Sequence, residues 1–553
     1  MGLAIYIFLA LLGYVLGQEP QECPAEQLTV KTSTGTFTGL IDAEFPHTRQ
    51  FRAVPFAKPP VASLRWMPPQ KLEPTDSHHY ATRFPPSCPQ FVSGVPTFWN
   101  GDLTRGNLIY NGAQNDTSGL VGEATSEDCL YLAIWTPTLA NNETTPMQDD
   151  LLPVLFFMTG GGFYMGGIDI PWQMPTSWVE RSRSHIVVTI NYRVGIFGFP
   201  NARGLEDQNL GILDQRAALE WVRDNIAAFG GDPTRITQMG RSAGATSVDM
   251  HSYAWHDDPI AQAIYMQSGT VFSTNPTRFA PPAYSNFSFV ARQLGCQSTC
   301  SGDGGEQGGG EEAAAAAAEL DCMRRLSFMQ IINFIGQYGD NETTPPLIFS
   351  WTPDDRVVFY NYTARSEAGL IARIPYMISV AANEWSSLVP WPAENITEGP
   401  SQPYITELNV DSYVCPTLNS TVYRNRLGDE TPVFRFQWAG TFPNLNVYKW
   451  LGAYHASDIP MFFGTYHLLD HVANTTDFQT EVSMALQDHI LAFVKDPNQG
   501  PQREYGWLPM DAGEPNGGHL LRFGAGGKAV QHIDGVEVDG VCTGLREYDP
   551  FPQ

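Results

Sequence analysis

The 553-residue chain is 42% hydrophobic and 16% charged, proportions that suit a globular protein with a large core and not a disordered one. Its formal net charge of −26 at pH 7 speaks against nucleic acid and anionic membrane surfaces as partners, because both call for basic patches.

In chain order, residues 1–17 come first, with an apolar run from Leu3 to Leu12 and the ending Val15-Leu-Gly17. This is the pattern of a secretory signal peptide, here without a basic residue ahead of the apolar run. The run is too short to span a bilayer, and no later stretch approaches about 20 apolar residues, so no membrane anchor is expected. Export agrees with eight N-x-S/T sequons, at Asn115, Asn142, Asn286, Asn341, Asn361, Asn395, Asn419 and Asn474, which are expected to carry glycans. It also agrees with an even number of cysteines, Cys23, Cys88, Cys129, Cys296, Cys300, Cys322, Cys415 and Cys542. None of these forms a C-x-x-C or Cys/His pattern, so no metal site is expected.

Leu130–Trp135, Leu152–Met158 and Ile186–Ile190 read as buried strands. Gln215–Phe229 places Ala218, Leu219, Trp221, Val222 and Ile226 at helical spacing. The apolar run Arg235–Met239 then leads into Gly240-Arg-Ser242-Ala-Gly244, and a helix is predicted to start at Ala243. Ile374–Val380 and Val433–Trp438 look like later strands. The alternation defines an α/β class, a mostly parallel sheet with helices on both faces. Ser301–Ala318 is of low complexity and reads as a flexible surface insertion, with room for a turn of helix in its Glu-Ala half. No internal repeat is present, and residues 18–553 read as a single domain.

A G-x-S-x-G stretch between a strand and a helix forces its serine into a strained turn and exposes the hydroxyl above the sheet. A Gly-rich surface turn is the plain alternative. Serine is a poor nucleophile at neutral pH and needs a base, an orienting acid and donors for a developing oxyanion. Thr159-Gly160-Gly161-Gly162-Phe163 follows a buried strand and offers unobstructed amides. Gly161 and Gly162, with the amide of Ala243, are the candidate oxyanion donors. A phosphate-cradling role fails because neither a Lys-Ser/Thr pair nor G-x-G-x-x-G follows.

These stretches resemble the type-B carboxylesterase/lipase family, the cholinesterase-like branch of the α/β-hydrolases, and secreted fungal members in particular. The resemblance rests on Ser126-Glu-Asp-Cys-Leu-Tyr-Leu132, Gly160-Gly-Gly-Phe163, Asn191-Tyr-Arg193 and the block from Gly211 to Gly244. Val248-Asp-Met-His-Ser-Tyr-Ala-Trp-His-Asp-Asp-Pro259 points to the fungal members. It implies an α/β-hydrolase fold and a serine esterase that needs no cofactor and acts on a small-molecule or lipid-like ester. By the same resemblance Glu384, in Ala382-Asn-Glu384-Trp-Ser386, is the catalytic acid. His455, in Gly452-Ala-Tyr-His455-Ala-Ser-Asp458, is the base that serves Ser242. Asp411 and Asp429 are rival acids without a strand directly before them. A lipase, a sterol esterase, a tailoring hydrolase of secondary metabolites and a catalytically silent binding protein are the other readings. The complete set of three residues disfavours the last.

The family also implies disulfides Cys88–Cys129, enclosing a lid-like loop with Phe98, Trp99 and Leu108, and Cys296–Cys322, with Cys300 as a competitor. Cys23, Cys415 and Cys542 stay unassigned, a terminal Cys23–Cys542 pair being one option. It implies a buried ion pair between Glu127 and Arg193. Thr159 and Trp385 depart from the family's His and Gly at these places. The 71 positions from Glu384 to His455 are few for the family, as if a helical insertion were missing and the site open. Arg241 precedes the serine where cholinesterases carry Glu, and no Trp lies in Asp116–Asp128, so choline esters are disfavoured.

Overall fold

The computed structural model describes residues 25–91, 93, 95, 97–98, 125–139, 151–273, 283–296, 309–390, 392, 394–428 and 430–553. The signal segment 1–17, Cys23, Trp99, Leu108, Asn115, Asn142, Cys300 and Asp429 lie outside them. In chain order the strands are β1 (Thr29–Thr32), β2 (Gly35–Thr38), β3 (Leu40–Ile41), β4 (Thr48–Pro55), β5 (His78–Tyr80), β6 (Tyr131–Pro137) and β7 (Leu152–Met158). They continue with β8 (Ile186–Ile190), β9 (Gly231–Arg241), β10 (Ala263–Gln267), β11 (Tyr376–Ala381), β12 (Val433–Trp438), β13 (His519–Phe523) and β14 (Val530–Asp534).

Among the described residues, β1, β2 and β5 form a small sheet, and the other eleven form a large one in the order β14-β13-β12-β11-β10-β9-β7-β8-β6-β4-β3. From β8 to β13 the pairings are parallel, and antiparallel pairings flank this block on both sides. The parallel strands are largely buried because both faces are covered. Val154 and Phe156 of β7 pack with Leu219, Val222 and Val248 of the helices Leu210–Asn225 and Ala243–Ala254. Leu155 and Phe157 face the other way, toward Trp178, Met461 and Ile490. Period-two alternation along one strand thus feeds two cores.

Register places the carboxyl ends of the central strands side by side. Met158 pairs with Gly240, Gln267 pairs with Arg241 and with Ser379, and Ala381 pairs with Trp438. Loops leaving this edge meet above it, where open α/β sheets bind their ligands.

Several expectations need correction. The helix predicted over 215–229 runs from Leu210 to Asn225 and tightens into a 3-10 turn, Ile226–Phe229. There the Asn225 side chain bonds the Trp221 carbonyl and accepts from Ser33, which ends the regular ladder. The Glu-Ala half of the low-complexity stretch is no flexible insertion but part of the helix Gly309–Arg325. Alanine favours helix; Leu320 and Met323 are buried in the core around Trp66 and Phe287, and Ala316 is buried on the same helix. The Glu384–His455 interval carries the helices Gln402–Asn409 and Cys415–Asn425 joined by a π turn, Val410–Val414.

Disulfides Cys88–Cys129 and Cys296–Cys322 are present as the resemblance implies. Cys542 pairs with Cys415, not with Cys23. Glu127 and Arg193 are each buried in an ion pair but not with one another. Arg65 takes Glu127 with two bonds of 2.6 Å, and Asp214 takes Arg193 at 2.7 and 2.8 Å. Asp214 also accepts the Arg193 amide at 3.0 Å, which fixes that pairing from the backbone.

Candidate active site

Ser242 follows the last residue of β9 and directly precedes the helix Ala243–Ala254, with φ +57° and ψ −122°. A non-glycine residue persists there only when its surroundings over-determine it. A Cβ on Gly240 would lie 2.1 Å from the Gly244 carbonyl oxygen, and one on Gly244 would lie 2.2 Å from that of Met158. Both glycines are therefore conditions of the turn. The Ser242 amide donates to the Gln267 carbonyl at 2.8 Å, and its own carbonyl accepts from Thr246 at 2.9 Å.

The glycine loop after β7 comes against this turn: a Cβ on Gly160 would stand 2.9 Å from the Ser242 Cβ. Gly161 has φ +123° and Gly162 φ +63°, and a Cβ on Gly161 would be 2.2 Å from the Met165 carbonyl oxygen. Only glycine permits this path, which brings main chain close to the nucleophile. The Ala243 amide lies in the first helical turn, whose N–H groups lack intrahelical acceptors and carry the positive end of the helix dipole. Thr159 contributes its carbonyl to the Tyr192 hydroxyl at 3.0 Å.

Glu384 and His455 meet. The imidazole Nδ1 and Glu384 Oε2 are 2.5 Å apart, and Glu384 Oε1 accepts the Ala381 amide at 2.7 Å. The carboxylate binds Nδ1–H, leaving Nε2 as the basic nitrogen. The His455 amide also donates to the Glu384 carbonyl at 3.3 Å. Both side chains are sealed, His455 being 1% exposed and Glu384 0%. Burial pulls the imidazole below its ordinary pKa of 6.5, outweighing the opposite pull of Glu384; Arg241 adds to the lowering. The lowering favours the neutral imidazole. The rival Asp411 is exposed on the π turn. Trp385 sits in the 3-10 turn Glu384–Ser387 without left-handed backbone, its amide held by Asn409 at 2.8 Å, so no glycine is required.

Four neighbours were missed or misread in the sequence. Tyr413, on the π turn, lays its ring 5.5 Å from that of His455. Arg241 is 2% exposed and so lies within the protein, not on an open pocket wall. Asp458 and Gln267 are buried and bonded to each other at 2.6 Å. Burial, then the charge of Glu384, pushes the Asp458 carboxyl up to about 7. The signals available were a charged residue in a turn next to apolar sequence and Gln267 at the end of an all-apolar strand. Phe98, from the Cys88–Cys129 loop, packs edge-on to Tyr454 at 4.8 Å. Among the described residues no group of three or more His, Cys, Asp or Glu could hold a metal ion, and no helix is long and apolar enough to cross a membrane.

This architecture and edge-of-sheet site define an α/β-hydrolase. The carboxylesterase family model matches residues 26–408, and the chain belongs to that family. It is similar to a chlorogenic acid esterase of Aspergillus niger, 36% identical over 531 residues that cover 94% of each chain. It is also similar to secreted lipase 5 of Gibberella zeae, 33% identical over 535 residues, 93% of this chain and 94% of the relative. An acetylcholinesterase of Bungarus fasciatus is 34% identical over 275 residues, 49% of this chain and 42% of the relative. The protein is a carboxylic ester hydrolase whose substrates are small-molecule esters.

Proposed function

We propose that Ser242, His455 and Glu384 act as the catalytic triad of a secreted esterase that works through an acyl-enzyme. Ser242 Oγ attacks the ester carbonyl carbon while His455 Nε2 takes its proton. The tetrahedral oxyanion is held by the amides of Gly161, Gly162 and Ala243. Collapse breaks the bond to the leaving alcohol, which receives the proton from His455. Water then attacks the acyl carbon with His455 as base and releases the acid and free Ser242. Glu384 holds the tautomer and stabilises the imidazolium. The single observation that carries this reading is the buried 2.5 Å Glu384–His455 contact at the sheet edge that bears the strained Ser242 turn.

Support for the substrate class comes from relatives named chlorogenic acid esterase and secreted lipase. Phenolic and lipid-like esters are the two candidates, and the absence of a Trp in Asp116–Asp128 disfavours choline esters. Secretion is supported by the signal-like residues 1–17 and three disulfides, and glycosylation by Asn341, Asn361, Asn395, Asn419 and Asn474, all exposed. Asn286 is half-buried, its amide bonded to the Ile348 carbonyl at 2.8 Å. Residues 18–553 are read as one hydrolase unit, since the large sheet draws strands from residue 40 to residue 534. The test is a chain-length series of p-nitrophenyl esters on the wild type and Ser242→Ala. Activity confined to the wild type is the expected result, and a jump above the critical micelle concentration of a long-chain ester identifies a lipase. Equal turnover by Ser242→Ala refutes the mechanism.

A further inference from the structure

Gln267 ends β10 and touches both halves of the site. Its carbonyl accepts the Ser242 amide at 2.8 Å, and its side-chain Nε2 donates to Asp458 Oδ2 at 2.6 Å. Asp458 lies three residues after His455, beyond Ala456 with φ +69°, where the turn enters the helix Ile459–Phe463. Gln267 and Asp458 are each 1% exposed and Arg241 is 2% exposed. Asp458 Oδ1, Gln267 Oε1, Ser268 Oγ and Arg241 Nε are sealed without a hydrogen-bond partner among the described residues. Among the described residues Arg241 forms no ion pair; the carboxylates acting on it are Asp458 and then Glu384. A buried carboxyl and a buried guanidinium are costly in apolar surroundings, and the mechanism above uses neither.

We propose that Asp458, gripped by Gln267 and balanced by the charge of Arg241, is a positioning residue that locks the His455 loop to the Ser242 turn. The proposal rests on the triad reading of Ser242 and His455. Glu384 sets the tilt of the imidazole through Nδ1, and the Gln267–Asp458 tether sets the place of its loop relative to the serine. A displacement of about 1 Å between reacting groups costs on the order of 100-fold in rate, so a short tether between the two loops is a kinetic device. The charged and titratable groups around Asp458 are Glu384, Arg241, His455, Tyr265 and Tyr454. With its carboxyl at about 7, Asp458 ionises near neutrality, and its charged form accepts more strongly from Gln267. The tether therefore tightens as pH rises through that value.

The test measures kcat and KM on p-nitrophenyl butyrate from pH 5 to 9, with thermal midpoints, for Asp458→Ala, Asp458→Asn, Gln267→Met and His455→Ala. Asp458→Ala and Gln267→Met are each expected to lower kcat by about 10- to 100-fold with KM within about threefold, and the double variant to lose little more. Asp458→Asn keeps an acceptor for Gln267 and is expected to retain kcat within about fivefold while losing the rate change near pH 7. If Asp458→Ala does not fold, Gln267→Met and Asp458→Asn decide. A folded tether variant with wild-type kcat, or an unchanged pH profile in Asp458→Asn, overturns the tether. Full activity in His455→Ala overturns the triad reading instead.

Discussion

Residues 231–254 deliver Ser242 through one uninterrupted strand, turn and helix, whereas Glu384 and His455 are 71 positions apart and meet only after the chain has passed through the helical segment 402–425. In the first region the elements are contiguous and the glycines at 240 and 244 make the turn possible, while the Met158 carbonyl beside Gly244 and the Gln267 carbonyl on the Ser242 amide hold it. In the second, nothing between neighbours in sequence brings acid to base. That pair depends on the sheet register, on the Asn383 side chain bonded to the Leu451 carbonyl at 3.0 Å, and on Cys415–Cys542 pinning the intervening helix. The nucleophile should therefore fail by chemistry, and the acid–base pair by loss of tertiary structure as well.

The largest expected effect is at the nucleophile. Ser242→Ala should lower kcat by about 10⁴- to 10⁶-fold with an unchanged thermal midpoint, because only the hydroxyl is lost. Glu384→Gln should cost about 10³- to 10⁴-fold, since the wrong tautomer is favoured while the shape is kept. Steady-state kinetics on a p-nitrophenyl ester checks both, and wild-type turnover in Glu384→Gln would move the acid role to another residue.

The next contrast sets one disulfide against another. Removing Cys415 and Cys542 together should lower unfolding free energy by about 2–5 kcal/mol and reduce kcat by about fivefold or more, since Tyr413 packs on His455 two residues before Cys415. Removing Cys296 and Cys322, whose helix packs around Trp66 in a hydrophobic cluster separate from those beside Ser242 and His455, should lower stability with kcat unchanged. Urea unfolding and kinetics on the same samples decide; equal kcat loss in both variants would erase the distinction.

The smallest effect is in the pH dependence of stability. Burial pushes His185 and His251 down to about 3 and His489 to about 4, and lowers His455 as well. Each takes up a proton on unfolding once pH falls below its ordinary 6.5, so these groups make stability fall on acidification through that value. Asp458 and Asp539, both raised by burial, oppose this between 3.8 and their higher folded values, because there the folded state holds the extra proton. The histidines outnumber them. The expected net slope between pH 6 and pH 5 is a loss of stability of up to about 1.4 kcal/mol per unmatched proton per pH unit. Urea midpoints that rise on acidification would contradict it.

How much of this was legible in sequence follows the same division. β7, β8 and β12 have the predicted bounds: Leu152–Met158 and Ile186–Ile190 are nearly continuous apolar runs, and Val433–Trp438 carries Phe434, Phe436 and Trp438 at alternate positions. The serine turn and the glycine loop were readable from spacing alone. Glu384 and His455 came through family resemblance, and the structure adds their contact. What escaped was settled by partners distant in sequence. Arg65 claims Glu127 across 62 positions, Asp458 is claimed by Gln267 across 191, and Cys542 closes on Cys415 across 127. The helix Gly309–Arg325 was hidden by its composition, since an alanine run reads as low complexity until Leu320 and Met323 show which face is buried.

The most direct test is the rate at which a fluorophosphonate ester labels the protein, with the modified residue located by mass spectrometry. The expected result is a single adduct on Ser242, formed at least about 100-fold more slowly in His455→Ala. An adduct on another residue, or unchanged labelling of His455→Ala, would contradict a nucleophile at 242 activated by a base at 455.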